Sequence, residues 1–472
     1  MKGHGAVPYG GWPLPTRAIL ALGLITSFAA ATGASRACIW ADPSRSAGAE
    51  TLAPAAAPAR VVVLVVLDAA RARSFSCYGH DRETTPRIDG IARGGLLFEN
   101  AFSPAPFTRG AMTAVWTSRE PGEPGTRKAV RLSEVLAAQG IHTAGVVGNP
   151  NAGASFGFDR GFAELHEVDD PTRERAESLL PTVERILLAR RASRLFLYLH
   201  LREPHFPYDP PPPFRGRFGV PELLPAEAAL DPDWIPSLNR RGGPSPDEAV
   251  DLARLYDANL AYADDVIGRL RDRLSAAGLW GETALIVTAD HGEALGEHGF
   301  VGHNDQVYDE STHVPLIVRG PGPETPGAPG PRRIDALASL LDIAPTVAGL
   351  FGLPREACVR AGFRGRSLIA ADFAEGDERM LMTRSAGDPA AYALRDRRTT
   401  LIVSPKGQAQ VFDRQASPGE TQDLAAAQPE LLQQRLDALA AHRAALGQAT
   451  ELEEASPSPR TREALRALGY TR

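Results

Sequence analysis

Cysteine is scarce in this sequence, with three residues in a chain of 472. Cys38, Cys77 and Cys358 lie far apart and show none of the short Cys-to-Cys spacings of a zinc-thiolate site. Three cysteines allow at most one intramolecular disulfide. We therefore expect a hydrophobic core to hold the fold, and 43% apolar residues in a chain of this length are enough to build one.

An excess of basic residues is also absent. The chain has 51 Lys and Arg against 57 Asp and Glu, and its formal net charge at pH 7 is -6. No stretch is as rich in Lys and Arg as the segments with which proteins bind nucleic acids. The composition therefore argues against a nucleic-acid partner.

The N-terminal segment has the composition of an export signal. Lys2 and Arg17 precede an apolar run at residues 18–31, and small residues follow that run. The run is short for a membrane span and rich in Ala. It therefore favours a cleaved signal peptide at residues 1–34 over an N-terminal membrane anchor, which remains the alternative. Residues 35–59 are rich in Ala and Pro and predict a linker, so we expect an exported protein, periplasmic or extracellular.

Residues 60–375 have the pattern of an α/β domain. Residues 61–67 are seven consecutive apolar residues, mostly β-branched, which is typical of a strand buried on both faces. The alternation of strands and helices predicts a mostly parallel sheet with helices on both faces. Further strands are predicted at residues 144–148, 195–199, 283–288 and 314–318, and helices at residues 131–139, 246–277 and 335–350.

The pattern changes in the C-terminal region, residues 376–472. Residues 391–396, 401–404 and 410–412 predict short antiparallel strands, and residues 429–444 predict a helix. We expect a small α+β subdomain that packs on the main domain, followed by a polar tail.

Several ordered motifs resemble those of the sulfatase branch of the alkaline phosphatase superfamily. Residues 67–108 (LDAARARSFSCYGHDRETTPRIDGIARGGLLFENAFSPAPFT) are similar to its N-terminal motif. Residues 288–322 (TADHGEALGEHGFVGHNDQVYDESTHVPLIVRGPG) are the most specific match. GFDRGF at residues 157–162 and EPHFPYDPP at residues 203–211 also resemble this family. The resemblance implies an alkaline-phosphatase-like α/β core with a small C-terminal sheet subdomain, in agreement with the patterns above.

The resemblance implies a metal site. Asp68, at the tip of the first predicted strand, matches the family's first metal-binding Asp, and Asp290 and His291 match its second metal pair. Open α/β sheets place their chemistry at the carboxyl ends of the strands. Carboxylate oxygens and an imidazole suit one divalent ion such as Zn, Mn or Ca, although so few ligands are sparse for Ca.

Thr108 occupies the position of the family's nucleophile. Sulfatases carry Cys or Ser there, followed by Pro and Arg, and oxidise it to formylglycine; this chain has Gly110 and Met112 at the Pro and Arg positions. Thr cannot be converted to formylglycine. Thr at this position resembles other branches of the superfamily, in which the Thr oxygen binds the metal and attacks phosphorus. The alternative is that Thr108 only caps the following helix.

His205 and His303 are, by resemblance, the pocket histidines that contact the transferred group. An imidazole there can stabilise a tetrahedral oxyanion or donate a proton to the leaving oxygen. We expect His298 to be structural and His200 to end its strand facing the core.

Two departures from the family pattern affect the site. Ala69 stands where the family has a second acid or a Thr, and Asn149 stands near the position of a Lys-x-His pair in arylsulfatases. Two functional hypotheses therefore remain. One is an exported, metal-dependent hydrolase or transferase that cleaves sulfate- or phosphate-type esters of small molecules, glycans or lipids. The other is a catalytically silent relative with a binding or envelope-structural role. The sequence does not determine the oligomeric state.

Overall fold

The computed structural model describes residues 58–171, 174–220, 231–322, 330–373, 379–447 and 457–467. The predicted signal peptide and most of the predicted linker lie outside these residues. Among the helices in the described ranges, none is both long enough and apolar enough to cross a membrane.

The main domain is built on a large sheet whose eight strands, within the described residues, have the order β10-β2-β9-β6-β1-β5-β3-β4. A separate two-stranded ribbon is formed by β7 and β8. The bounds are β1 (Val61–Asp68), β2 (Leu96–Phe102), β3 (His142–Val147), β4 (Glu164–Glu167), β5 (Leu195–Pro204), β6 (Thr283–Ala289), β7 (Ala294–Leu295), β8 (Val301–Gly302), β9 (Leu316–Arg319) and β10 (Arg332–Ser339).

Helices flank this sheet and cover its faces. They are α1 (Pro86–Ala92), α2 (Thr108–Thr117), α3 (Leu132–Ala138), α4 (Leu180–Ala189), α5 (Phe214–Arg217), α6 (Trp234–Arg240), α7 (Pro246–Ala276), α8 (Asp309–Thr312), α9 (Ile343–Leu350) and α10 (Arg355–Ala361). The predicted α/β class and mostly parallel sheet are confirmed. The exception is β9, which runs antiparallel to both of its neighbours, β2 and β6.

The strand β1 lies at the centre of the sheet because its side chains are apolar on both faces. Each of its residues is buried, and it pairs in parallel with β5 on one side and β6 on the other. In this register Val66 lies opposite His200, and Leu67 lies opposite Ala289. The carboxyl ends of the three strands therefore meet at one edge, which brings together side chains that are far apart in the sequence.

The predicted helix at residues 335–350 is wrong in its first part. Residues Arg332–Ser339 form β10, which pairs in parallel with β2. Ser339 ends the strand: its hydroxyl accepts a hydrogen bond from the Leu341 N–H at 3.3 Å, and its own N–H donates to Asp342 at 2.9 Å. This capping arrangement starts a short 3-10 turn, and α9 begins only after it.

The C-terminal subdomain contains a four-stranded antiparallel sheet among its described residues, in the order β11-β12-β13-β14. Three of these strands and the helix α11 confirm the predicted elements, whereas β11 was not predicted. The guanidinium of Arg395, fully buried, donates to Asp309 at 3.0 Å and to the Val307 carbonyl at 2.6 Å, which ties this sheet to the main domain. The bounds are β11 (Leu381–Arg384), β12 (Tyr392–Arg395), β13 (Thr399–Val403), β14 (Ala409–Asp413), α11 (Pro429–Leu446) and α12 (Pro459–Ala467).

Candidate active site

Asp68, Asp290 and His291 meet at the carboxyl ends of β1 and β6. All three side chains are fully buried. The Nε2 atom of His291 lies 3.5 Å from Oδ1 of Asp68 and 3.6 Å from Oδ2 of Asp290. Ligands around a tetrahedral ion with bonds of about 2.1 Å lie about 3.4 Å apart, so this spacing fits three ligands of one ion.

The imidazole of His291 has a defined orientation. Its Nδ1 lies 2.9 Å from the carbonyl oxygen of Gly292, and a carbonyl can only accept a hydrogen bond. Nδ1 therefore carries the proton, and in the neutral ring Nε2 presents its lone pair to the two carboxylates. Burial raises the pKa of Asp290, but the imidazoles of His291 and His200 and the N–H of Ala69 outweigh it and hold that pKa below its ordinary value.

Thr108 belongs to the same cluster. It is the first residue of α2 and is 2% exposed. Its Oγ1 lies 3.4 Å from Nε2 of His291 and 3.5 Å from Nδ2 of Asn149. The start of a helix leaves backbone N–H groups without partners within the helix, and its dipole favours an anion there. The Thr108 hydroxyl is therefore placed between the acidic pair and a site suited to a tetrahedral anion.

Asn149 connects Thr108 to Asp68. Its Nδ2 donates a hydrogen bond to Oδ2 of Asp68, and its Oδ1 accepts one from the Asn151 N–H at 2.8 Å. The side chain is fully buried. The sequence indicated only that a Lys was missing at this position, whereas the structure shows an amide that fixes both the carboxylate and the hydroxyl.

His200 is fully buried, as predicted, but the prediction that it ends its strand is wrong. β5 continues to Pro204, because residues 201–204 remain beside the end of β1. Ligand atoms of His200, Asp68 and Asp290 all lie within 4.8 Å of one another. Burial lowers the pKa of His200 to about 4, so this imidazole is neutral at pH 7.

The residues at this edge fit a divalent cation. In the part of the chain that the structure describes, Oδ2 of Asp290 and Nε2 of His200 have no hydrogen-bond partner, although both atoms are buried. Buried polar atoms without partners are costly unless a ligand satisfies them. The donor set consists of carboxylate oxygens, imidazole nitrogens and a hydroxyl, and it contains no thiolate.

The two pocket histidines also lie at this edge. The ring centroid of His303 is 4.3 Å from that of His291 and 5.0 Å from that of His205. Nδ1 of His205 donates to the Phe206 carbonyl, so its Nε2 is the basic nitrogen. Burial, with a smaller effect from His303, lowers the pKa of His205 to about 3. Burial, with a smaller effect from His291, lowers the pKa of His303 well below its ordinary value.

Glu293 supports His303, and we did not predict it. Its Oε1 lies 2.8 Å from Nδ1 of His303, and its Oε2 accepts a hydrogen bond from the Tyr208 hydroxyl at 3.1 Å. Burial raises the pKa of Glu293. Its place two residues after His291, in the motif ADHGE, was the signal that could have identified it.

His298, expected to be structural, lies in an ion pair beneath the C-terminal subdomain. Its Nδ1 is 2.8 Å from Oε1 of Glu310, and its Nε2 is 3.2 Å from the Glu420 carbonyl. The ring stacks on Tyr308 with centroids 3.8 Å apart. These contacts give His298 a packing role.

The chain is similar in sequence to proteins of one family. The family model described as Sulfatase matches residues 60–353. Iduronate 2-sulfatase of Homo sapiens is 25% identical over 403 residues, and the match covers 65% of this chain and 71% of that protein.

Solved structures of similar fold support the predicted architecture. Phosphonate monoester hydrolase of Agrobacterium radiobacter superposes with a TM-score of 0.64 at 20% identity, covering 83% of this chain and 96% of that one. BT4656, solved in complex with its substrate D-glucosamine-2-N,6-O-disulfate, superposes with a TM-score of 0.66 at 19% identity, covering 84% of this chain and 100% of that one. At these identities the likeness shows the fold alone.

Proposed function

The chain belongs to the sulfatase family of ester hydrolases, and from that premise we propose that it is a metal-dependent hydrolase or transferase with Thr108 as its nucleophile. Phosphoryl-type chemistry is favoured over sulfuryl-type chemistry. The observation that carries this proposal is the position of the Thr108 hydroxyl, 3.4 Å from Nε2 of His291 at the start of α2.

The metal would be held by Asp68, Asp290 and His291, with the oxygen of Thr108 beside them. A divalent cation, when bound, lowers the pKa of a neighbouring hydroxyl and offsets negative charge on a transferred group. The mixed oxygen and nitrogen donors suit Zn²⁺ or Mn²⁺ better than Ca²⁺, which prefers more oxygen ligands. Asn149 keeps Asp68 and Thr108 in place through its amide group.

The proposed reaction has two displacement steps. In the first, a neutral pocket imidazole takes the proton of the Thr108 hydroxyl, and Oγ1 of Thr108 forms a bond to phosphorus. The bond from phosphorus to the leaving alcohol breaks, and the imidazolium gives its proton to the leaving oxygen. In the second, the imidazole takes a proton from water or an acceptor alcohol, whose oxygen attacks phosphorus. The bond from phosphorus to Thr108 breaks, and the proton passes to Oγ1. The Thr hydroxyl and the imidazole then return to their starting protonation states.

His205 and His303 are the candidates for the proton transfers. Both rings are neutral without substrate, because burial lowers both pKa values. An anionic substrate raises the pKa of a nearby imidazole, since the charged form gains a partner. An imidazole can therefore hold the Thr108 proton beside the anionic group, give it to the leaving oxygen, and carry a proton from water back to Oγ1 of Thr108 in the second step.

The preference for phosphoryl transfer follows from the side chain of Thr. A formylglycine enzyme releases sulfate by elimination from its aldehyde hydrate, and an unmodified Thr has no such route. A phosphoryl group on Thr108 can be removed by in-line attack on phosphorus. The relative named iduronate 2-sulfatase supports a sulfate ester instead, so both classes of ester enter the test below. The substrate class therefore includes small-molecule, glycan and lipid esters.

We also propose that the enzyme acts outside the cytoplasm. The composition of residues 1–34 supports export, with membrane anchoring as the alternative, and residues 60–375 would form the catalytic domain. N-terminal sequencing of protein recovered from periplasm, medium and membranes distinguishes a cleaved signal from a retained anchor. Uncleaved protein found only in the cytoplasm would overturn this proposal.

The test of the activity is a substrate panel with the metal-loaded full chain. The panel comprises p-nitrophenyl sulfate, a p-nitrophenyl phosphate monoester, a phosphodiester and a phosphonate monoester. We expect multiple turnovers on at least one phosphorus ester and at most one equivalent of product from the aryl sulfate. Sustained sulfate hydrolysis would overturn the phosphoryl preference. A chain that cleaves none of these esters would support the silent binding protein instead.

A further inference from the structure

His200 presents a nitrogen to the acidic pair that no motif in the sequence assigns. It lies on β5, is fully buried, and has ligand atoms within 4.8 Å of those of Asp68 and Asp290. Ala69, which follows Asp68, has no side-chain atom that can bind a metal, whereas the family has another acid or a Thr at this position. His200 and both carboxylates could therefore bind one ion between them, once their ligand atoms approach it to the bonding distance of about 2.1 Å.

The neighbours of His200 decide which of its nitrogens carries the proton. Nδ1 lies 2.6 Å from the hydroxyl oxygen of Tyr198, and that hydroxyl in turn lies 3.9 Å from the sulfur of Met112, to which it donates. A hydroxyl has one proton. When that proton is directed at the sulfur, the Tyr198 oxygen accepts from Nδ1–H, and Nε2 of His200 presents its lone pair.

The opposite tautomer fits the surroundings poorly. With the proton on Nε2, a buried N–H would require a hydrogen-bond acceptor. Among the described residues Nε2 of His200 has no such partner. A lone pair opposed to two carboxylates is favourable only when a cation lies between them.

We infer that His200 is a ligand of the divalent ion, bound through Nε2 beside Asp68 and Asp290, and that Tyr198 is a positioning residue that fixes its tautomer. The inference rests on the proposed function, because it requires the metal site. It gives the site two imidazole ligands, His200 and His291. Two nitrogen ligands favour Zn²⁺ or Mn²⁺ over Ca²⁺, which binds almost only through oxygen.

The test counts the imidazoles bound to the metal. The full chain, labelled with ¹⁵N-histidine and loaded with Mn²⁺, is measured by pulsed electron–nuclear double resonance, and Mn²⁺ affinity is measured by titration. We expect two coordinated imidazoles in the wild type and one in His200→Gln, with a dissociation constant raised by about 10- to 100-fold. The matched control is His142→Gln, because His142 lies on β3, beside β5, and pairs with Glu164 on β4. The imidazole count and the dissociation constant of this variant should both stay at wild type.

The variant Tyr198→Phe separates orientation from ligation. It should keep two coordinated imidazoles and weaken Mn²⁺ binding by about 10-fold, since Nδ1 of His200 loses its acceptor. A single coordinated imidazole in the wild type overturns the assignment of His200, and this measurement decides even when His200→Gln does not fold. A wild type that binds no divalent ion overturns the proposed function as well, so the two failures are distinguishable.

Discussion

Glu293 and His303 form a buried carboxylate–imidazole pair, with Oε1 of Glu293 2.8 Å from Nδ1 of His303. The carboxylate accepts a hydrogen bond from the Nδ1–H of His303 and so fixes the orientation of the ring. The centroid of this ring lies 4.3 Å from that of His291. In this orientation Nε2 carries the lone pair of the neutral ring, and a positive charge that forms on the ring is stabilised by Glu293. The pair therefore prepares His303 for proton transfer beside the proposed metal.

The first prediction concerns the two pocket histidines. His205→Ala and His303→Ala should each lower kcat by about 10²-fold or more, because each removes a group that stabilises the transition state. The melting temperature should change little. The measurements are steady-state kinetics on the best phosphorus ester and thermal unfolding of the same preparations.

Glu293→Gln is the companion variant for this prediction. It keeps the size of the side chain but removes the charge that supports the His303 imidazolium, so kcat should fall while KM stays nearly constant. A histidine variant that loses several degrees of stability and keeps normal turnover would identify that histidine as structural.

The second prediction concerns the nucleophile. Intact mass spectrometry of the resting enzyme should show Thr108 unmodified. Thr108→Ala should lower kcat by at least about 10³-fold, because it removes the atom that forms the ester intermediate. The bound metal should remain, since Asp68, Asp290 and His291 are untouched. Elemental analysis and initial rates provide the two measurements.

Thr113→Ala is the control for the nucleophile, because it removes a hydroxyl from the same helix. The Thr113 hydroxyl donates to the Arg109 carbonyl at 2.7 Å. This variant should keep wild-type turnover. An active Thr108→Ala enzyme would show that Thr108 only caps α2 and that the nucleophile is another group.

The third prediction is one divalent ion per chain. Oδ2 of Asp290 is buried without a hydrogen-bond partner in the described structure, so an ion should satisfy it. Asp290→Ala should lose that ion, whereas Asp272→Ala, at an exposed carboxylate paired with Arg271, should retain it. The measurement is elemental analysis of dialysed protein. A metal-free wild type with a folded pocket would contradict the prediction.

The fourth prediction concerns the close backbone approach at Gly292. A Cβ built there would lie 2.1 Å from the carbonyl oxygen of Glu310. Gly292→Ala must therefore displace the segment that carries His291, and it should destabilise the fold by about 1–3 kcal/mol and weaken metal binding. Gly281→Ala is the control, because its Cβ would meet no atom within 4 Å. Urea unfolding measures both, and equal stabilities would show that the backbone at Gly292 relaxes freely.

The fifth prediction concerns the pH dependence of stability. Burial lowers the pKa of His298, but Glu310 and the Glu420 carbonyl outweigh it and raise that pKa above its ordinary value. The folded protein thus binds this proton more tightly than the unfolded chain, so the stabilisation is present below about pH 6.5 and is lost as pH rises through the folded pKa. Burial, and then Asp309, raises the pKa of Glu420 from its ordinary 4.5 to about 8, so the stabilisation from its proton is likewise lost as pH rises, between about 4.5 and 8.

Urea unfolding at several pH values between about 6 and 9 checks this prediction. The free energy of unfolding should decrease with rising pH in the wild type, and the decrease should be smaller in His298→Gln. Thr113→Ala, which removes a hydroxyl that does not titrate in this range, should keep the wild-type slope. A wild-type stability that rises over this range would contradict the assigned protonation of the cluster.

The sequence by itself determined the fold class and named the candidate residues of the metal site and the pocket. The apolar run of β1 and the alternation of strands and helices were sufficient for the parallel sheet, because a strand buried on both faces has no polar alternation. The motifs indicated Asp68, Thr108, His205, Asp290 and His291 together with His303, and the structure brings these six side chains to one edge.

Only the tertiary structure decided the remaining parts. Residues 332–339 were partly assigned to a helix because their pattern is ambiguous, and the pairing with β2 made them a strand. The antiparallel direction of β9 likewise depends on its neighbours and leaves no local pattern.

The role of His200 shows the physical reason most clearly. Local periodicity indicates that a residue is buried, but it does not indicate which side chains of other strands lie beside it. That depends on the register of β5 against β1, which places His200 opposite Val66, near the carboxylates at the ends of β1 and β6. Register follows from the packing of the whole sheet, so the histidine can be read along the chain, whereas its carboxylate neighbours depend on the fold.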